Sequence, residues 1–75
     1  MSAPLKVYPN PASDRITIQC GAELIGEEYM IYDAAGKLVM KGRVTSQATT
    51  IDVKGLSAGQ YVLNSGGISI NLVKK

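Results

Sequence analysis

Three observations on this 75-residue chain predict an all-β fold. Apolar and polar residues alternate with a period of two in several short runs, clusters of Gly, Pro, Asn, Asp and Ser interrupt those runs, and no stretch carries a helical period. The interruptions recur about every ten residues, the spacing of short antiparallel strands in sandwiches. Together they predict a seven-stranded antiparallel immunoglobulin-like β-sandwich, with an open barrel as the alternative.

The pattern is organised around a central hairpin, residues 29–33 and 37–43, joined by Ala34-Ala35-Gly36. A short loop ending in glycine suits a hairpin because glycine takes positive φ without a Cβ clash. Lys37, Lys41 and Arg43 share one parity of the second strand and Leu38, Met40 and Val44 the other, so one side faces water and Leu38 and Met40 face a core. A one-residue slip would exchange this pair for Val39. On the first strand Tyr29 and Ile31 point inward. A two-stranded ribbon is marginal alone, so the remaining strands must cover it.

Taken from the start, residues 5–8 form a first strand with Val7 inward, ended by Pro9-Asn10-Pro11, because the prolines lack N–H groups and bias Asn10 toward extended backbone. That strand belongs at an edge, with Tyr8 covering one end of the sandwich. Residues 15–20 alternate cleanly and place Ile16, Ile18 and Cys20 inside. Residues 21–27 read as a loop with a brief extended piece at Leu24-Ile25. Residues 49–53 give a fifth strand with Thr49, Ile51 and Val53 on one parity. Leu56 plugs the core from the next connection, residues 60–63 form the sixth strand with Tyr61 and Leu63 inward, and residues 68–73 the seventh with Ile68, Ile70 and Leu72 inward.

Composition narrows the chemistry. The eight basic residues against six acidic ones are scattered, which argues against a nucleic-acid partner, and the apolar runs are far too short for a membrane span. A lone cysteine, Cys20, makes no intrachain disulfide and shares the parity of buried isoleucines. There is no histidine, hence no commonest general base or zinc ligand. Asp14, Asp33 and Asp52 stand singly at turns and read as turn caps rather than calcium ligands. No paired carboxylates, phosphate-cradling loop or nucleophile elbow appears. The expectation is a non-enzyme with no catalytic residues, metal or cofactor. The last strand, ending in Lys74-Lys75, offers unpaired backbone groups at a sheet edge and suits docking by strand addition, although lysines also guard exposed edges.

Val7-Tyr8-Pro9-Asn10-Pro11, Ile31-Tyr32-Asp33 with Gly36-Lys37, Ile51-Asp52 followed by Leu56, Gly59-Gln60-Tyr61-Val62 and the lysine-bearing tail stand in order over nearly the whole chain. This set resembles the type A C-terminal sorting domain of the type IX (Por) secretion system of Bacteroidota. The resemblance implies an immunoglobulin-like domain attached to an N-terminal cargo domain, in the periplasm in transit and then at the cell surface or outside the cell. Its partners would be the outer-membrane secretion machinery and a sortase-like cysteine peptidase that removes it and can join the cargo to lipopolysaccharide. By position, the family motifs fall on Tyr8, Pro9, Asn10, Pro11, Asp33, Gly36, Gly59 and Tyr61, and the recognition signal on Leu72, Val73, Lys74 and Lys75. Residues 5–75 would be the sorting domain and residues 1–4 a linker remnant or non-native start containing or lacking the cut. Tyr29 departs from the resemblance, which more often has a branched aliphatic there. The rival reading is an accessory adhesive or carbohydrate-binding sandwich using outward apolar groups such as Tyr32 and Val62; a third is a weak homodimer through the final strand.

Overall fold

The computed structural model describes residues 5–75; the expectations for residues 1–4 lie outside the described residues. Among the described residues seven strands follow one another: β1 (Lys6–Tyr8), β2 (Arg15–Gln19), β3 (Glu28–Asp33), β4 (Leu38–Arg43), β5 (Ala48–Asp52), β6 (Gly59–Ser65) and β7 (Ile68–Lys74). They form two sheets, β1-β2-β5 and β4-β3-β6-β7, and every strand pairing is antiparallel. The all-β immunoglobulin-like sandwich expected from the alternation is therefore the observed fold.

The inner faces meet in one core. Ile16 and Ile18 of the three-stranded sheet and Ile31, Leu63 and Leu72 of the four-stranded sheet are fully buried, joined by Val44 and Val53 beside the strand ends. Each such side chain contributes about 1.5–3 kcal/mol of transfer free energy. Cys20 is buried and unpaired, its thiol 3.9 Å from the Ser46 carbonyl, as its parity implies. Val7, Met40, Leu56 and Ile70 pack against the core from its margins.

Four packing expectations are corrected. Ile31 stands opposite Met40 but Tyr32 opposite Leu38, so Val39 is an extra residue in β4. This β-bulge reverses the parity on either side of it, leaving Leu38 43% exposed while Met40 and Val39 both touch the core. Ile68 keeps the inward parity, opposite buried Ser65, but stands at the rim where β7 begins and is 37% exposed. Tyr8 lies opposite Thr17 and is 46% exposed, so it covers no end of the sandwich. Residues 22–24 form a 3-10 turn rather than an extended piece, closed by the Leu24 N–H donating to Gly21 and the Ile25 N–H to Ala22. That turn drops Leu24 into the core. Beyond it, Gly26 N–H donates to Val44 and Val44 N–H to Glu27, which draws Val44 inside as well.

Gly42 explains how a tyrosine fits at position 29. The two residues are directly opposite, and a Cβ at position 42 would stand 2.5–2.8 Å from three atoms of the Tyr29 phenol. The ring lies over the glycine, an aromatic covering a gap in the neighbouring strand.

Candidate functional site

The recognition candidates are held by β7 and by the segment that enters the domain before β2. After β1, residues 9–12 leave the three-stranded sheet and run beside the outer edge of β7. Pro9 and Pro11 can donate nothing to a ladder, and the Tyr8-Pro9 and Asn10-Pro11 peptide bonds are both cis. The contacts therefore fall to Asn10 and Ala12. The Asn10 carboxamide acts as a piece of backbone, its Nδ2 donating to the Asn71 carbonyl at 2.9 Å and its Oδ1 accepting from Val73 N–H at 3.0 Å. Ala12, fully buried, continues the pairing: its N–H donates to the Val73 carbonyl at 2.7 Å, and its carbonyl accepts from Lys75 N–H at 2.8 Å.

This clip changes what the tail can present. The edge was expected to offer unpaired backbone groups along its length, but from the Asn71 carbonyl to the Lys75 N–H those groups are occupied. Only side chains remain readable there. Leu72 is 1% exposed and belongs to the core, whereas Val73 is 39% exposed, Lys74 half-buried and Lys75 exposed. Within the proposed signal, then, Leu72 anchors and the other three residues face outward or lie at the margin.

The remaining motif positions converge on the same end of the sandwich. Gly59 is opposite Lys74 and Tyr61 opposite Leu72, while Tyr61 on its other side faces Asp33. Tyr61 is buried, and its hydroxyl donates to the Ser57 carbonyl at 2.7 Å, the tyrosine corner by which such sandwiches pin the turn before this strand. Asp33 caps the β3–β4 turn: one carboxylate oxygen accepts from the Ala35 N–H at 3.0 Å and the Lys37 N–H at 2.9 Å. Gly36 closes it with φ of +86°, a conformation costly for a residue with a Cβ. Asp52 caps in the same way through the Lys54 N–H, whereas Asp14 takes part through its backbone carbonyl, which accepts from Val53. Tyr8 alone among the motif side chains lies elsewhere, on the outer face of the three-stranded sheet beside Thr17.

Two features of the four-stranded sheet carried little sequence signal. Asn71 joins through its carbonyl, which any residue supplies, and Ser65 sits in what reads as a turn but is the buried end of β6, its hydroxyl donating to the Glu28 carbonyl at 3.0 Å.

Both ends of the long axis carry charges of each sign. Lys37, Lys54, Lys74 and Lys75 share the end just described with Asp33 and Asp52, each of which spends a carboxylate oxygen on a turn, while Glu23, Glu27 and Glu28 lie at or beside the β2–β3 connection at the other, where Arg43 stands opposite Glu28 and Lys6 opposite Gln19. Among the described residues no group of three or more metal-ligating side chains comes together, and no helix is long and apolar enough to cross a membrane. The geometry is that of a small sandwich in which most of the dispersed motif residues gather around one strand end.

The family follows from comparison. A family model of the secretion-system C-terminal sorting domain matches residues 6–75, and the chain belongs to that family, the type IX sorting domains its motifs resemble. It is 34% identical over 67 residues to beta-agarase A of Zobellia galactanivorans, a match covering 89% of this chain and 12% of the agarase. It is 34% identical over 68 residues to a tRNA (guanine-N(1)-)-methyltransferase of Pseudarthrobacter chlorophenolicus, covering 89% and 25%. A methyltransferase of the same name from Bifidobacterium longum is 26% identical over 73 residues, covering 95% and 27%. The chain thus spans only 12% to 27% of these relatives' lengths.

Proposed function

We propose that the folded domain is the address by which an N-terminal cargo crosses the outer membrane through the type IX secretion machinery, and that it performs no reaction itself. The observation that carries this is the gathering of motif positions around the end of β7, where they hold Val73, Lys74 and Lys75 in fixed places. A signal read as an unfolded tail would gain nothing from the clip, the tyrosine corner and the buried Leu72. The domain passes through the periplasm and reaches the cell surface or the medium with its cargo, and a sortase-like cysteine peptidase then removes it upstream of β1, with or without joining the cargo to lipopolysaccharide.

The test is a periplasm-directed reporter fused ahead of residues 5–75 in a bacterium carrying this system. Export of the reporter is expected, with intact mass of the secreted product lacking the domain. Retention of the unaltered fusion inside the cell overturns the assignment. Export with the domain still attached overturns the removal step alone.

A second reading, an accessory adhesive or carbohydrate-binding module, draws support from one observation. Leu38, Tyr32 and Val62 stand side by side across three strands on the outer face of the four-stranded sheet, with the Tyr32 hydroxyl turned onto the Met30 sulfur at 3.4 Å. That reading requires the domain to persist in the mature protein, so the same mass measurement separates the two.

A further inference from the structure

The outer edge of β7 is sealed over only part of its length. Successive residues of an antiparallel strand turn their backbone groups to opposite neighbours. The groups of Asn71, Val73 and Lys75 that bond the clip therefore place the odd-numbered residues of β7 on the outward side. By the same alternation Ser69 directs its N–H and carbonyl outward, and Asn71 its N–H, and none of the three has a partner among the described residues. The sequence donor, acceptor, donor is the complement of an extended main chain. The clip shows what this edge accepts, since residues 9–12 already engage it as a strand would, and the open stretch continues that interface toward the β6–β7 turn. Apolar surface accompanies it: Ile68 is exposed and Ile70 half-buried on the inward side, and partly buried Val7 belongs to β1, the strand packed alongside β7.

We propose that the edge from Ile68 to Asn71 receives an extended segment of a partner protein by strand addition, with apolar side chains against Ile68 and Ile70 and with Asn10 as the stop that fixes its register. Pro9 and Pro11 carry no N–H, so the clip offers no ladder on which a further strand could grow. The bound segment is accordingly short, and the site distinguishes extended peptides by where an apolar residue falls relative to that stop. This deepens the export reading and rests on it for the partner's place in the cell, but the binding itself is measurable on the domain alone.

The probe is acetyl-Thr-Val-Thr-Val-Thr-amide, titrated into the 15N-labelled chain. The Ser69 and Asn71 amide resonances are expected to shift and their hydrogen exchange to slow about tenfold, while the Val73 amide, already bonded to Asn10, stays in place. Ser69→Pro removes the outward donor without touching the pairing to β6 and is expected to abolish the shifts with the circular dichroism spectrum unchanged. Asn10→Ala frees the Asn71 carbonyl and Val73 N–H and is expected to tighten binding of a seven-residue analogue about tenfold, with the Val73 amide now responding. Shifts confined to other strands, binding indifferent to Ser69→Pro, or the same amides responding to the chain's own concentration without peptide would each overturn the proposal, the last by making a second copy the occupant. Retention of the unaltered reporter fusion, with peptide binding intact, would fail the export reading and leave the strand-addition site standing.

Discussion

The two edges of the four-stranded sheet are protected in different ways. At β4 the guard is local: a bulge at Val39 breaks the ladder, Lys41 and Arg43 are exposed, and the Arg43 guanidinium donates to the Gly26 carbonyl at 2.8 Å. At β7 the guard is borrowed from 61 and 63 positions away, where Asn10 and Ala12 bond the edge while the prolines around them refuse further pairing. A local guard is lost only with the strand itself. A borrowed one can be lifted while the sheet stays folded, and it leaves uncovered whatever it does not reach. That difference is what the proposed recognition at β7 exploits, with β4 left to structure.

The largest expected effect is on the inner face that both edges share. Leu72→Ala leaves a cavity under β7 and is expected to lower unfolding free energy by roughly 2–5 kcal/mol in urea titration. A loss under 1 kcal/mol would mean that β7 is not anchored in the core. On the β4 side, Gly42→Ala drives a methyl group into the Tyr29 ring and is expected to cost about 1–3 kcal/mol, with most of it recovered in the double variant with Tyr29→Val. Additive losses would break the pairing of the two residues. At the clip, Asn10→Ala is expected to cost only about 1 kcal/mol, because the groups it frees are exposed to water. Its signature is local: faster exchange of the Val73 amide, with the amides of β4 unchanged. Equal acceleration at both edges would show that the clip is not a separable device.

The smallest effect is alkaline. Burial raises the Tyr29 phenol above its ordinary value of 10.0, so as pH climbs past about 10 the unfolded chain releases that proton before the folded one does. Stability is therefore expected to be complete below pH 10 and to decline above it, and Tyr29→Phe to flatten the decline. Ultraviolet titration of the phenolate alongside thermal melting checks both.

Most of the fold was legible because a half-buried strand writes its faces in alternation. Ile16 and Ile18, Ile51 and Val53, and Tyr61 and Leu63 are all where that period puts them. It failed where geometry breaks the period. The Val39 bulge leaves no mark in a run of Leu-Val-Met, and the buried position of Leu24 depends on a 3-10 turn that no alternation announces. The site was half legible. Proline and asparagine at positions 9 to 11 say that a strand stops, but that Asn10 then lies against Asn71 and Val73 is a relation between the two ends of the chain, fixed only by how the sheets close. The motif order named the family, and in the fold its Gly59 and Tyr61 stand opposite Lys74 and Leu72 of β7.

The most direct test is the extracellular fraction of the reporter carried by the triple variant Val73→Asp, Lys74→Glu, Lys75→Glu. These changes alter the outward Val73 and Lys75 and the half-buried Lys74 at the margin, and leave Leu72, the clip and the tyrosine corner in place. With a melting temperature close to that of the unaltered domain, the variant is expected to leave the reporter in the periplasm. Export at the unaltered level would contradict the claim that this face is what the machinery reads.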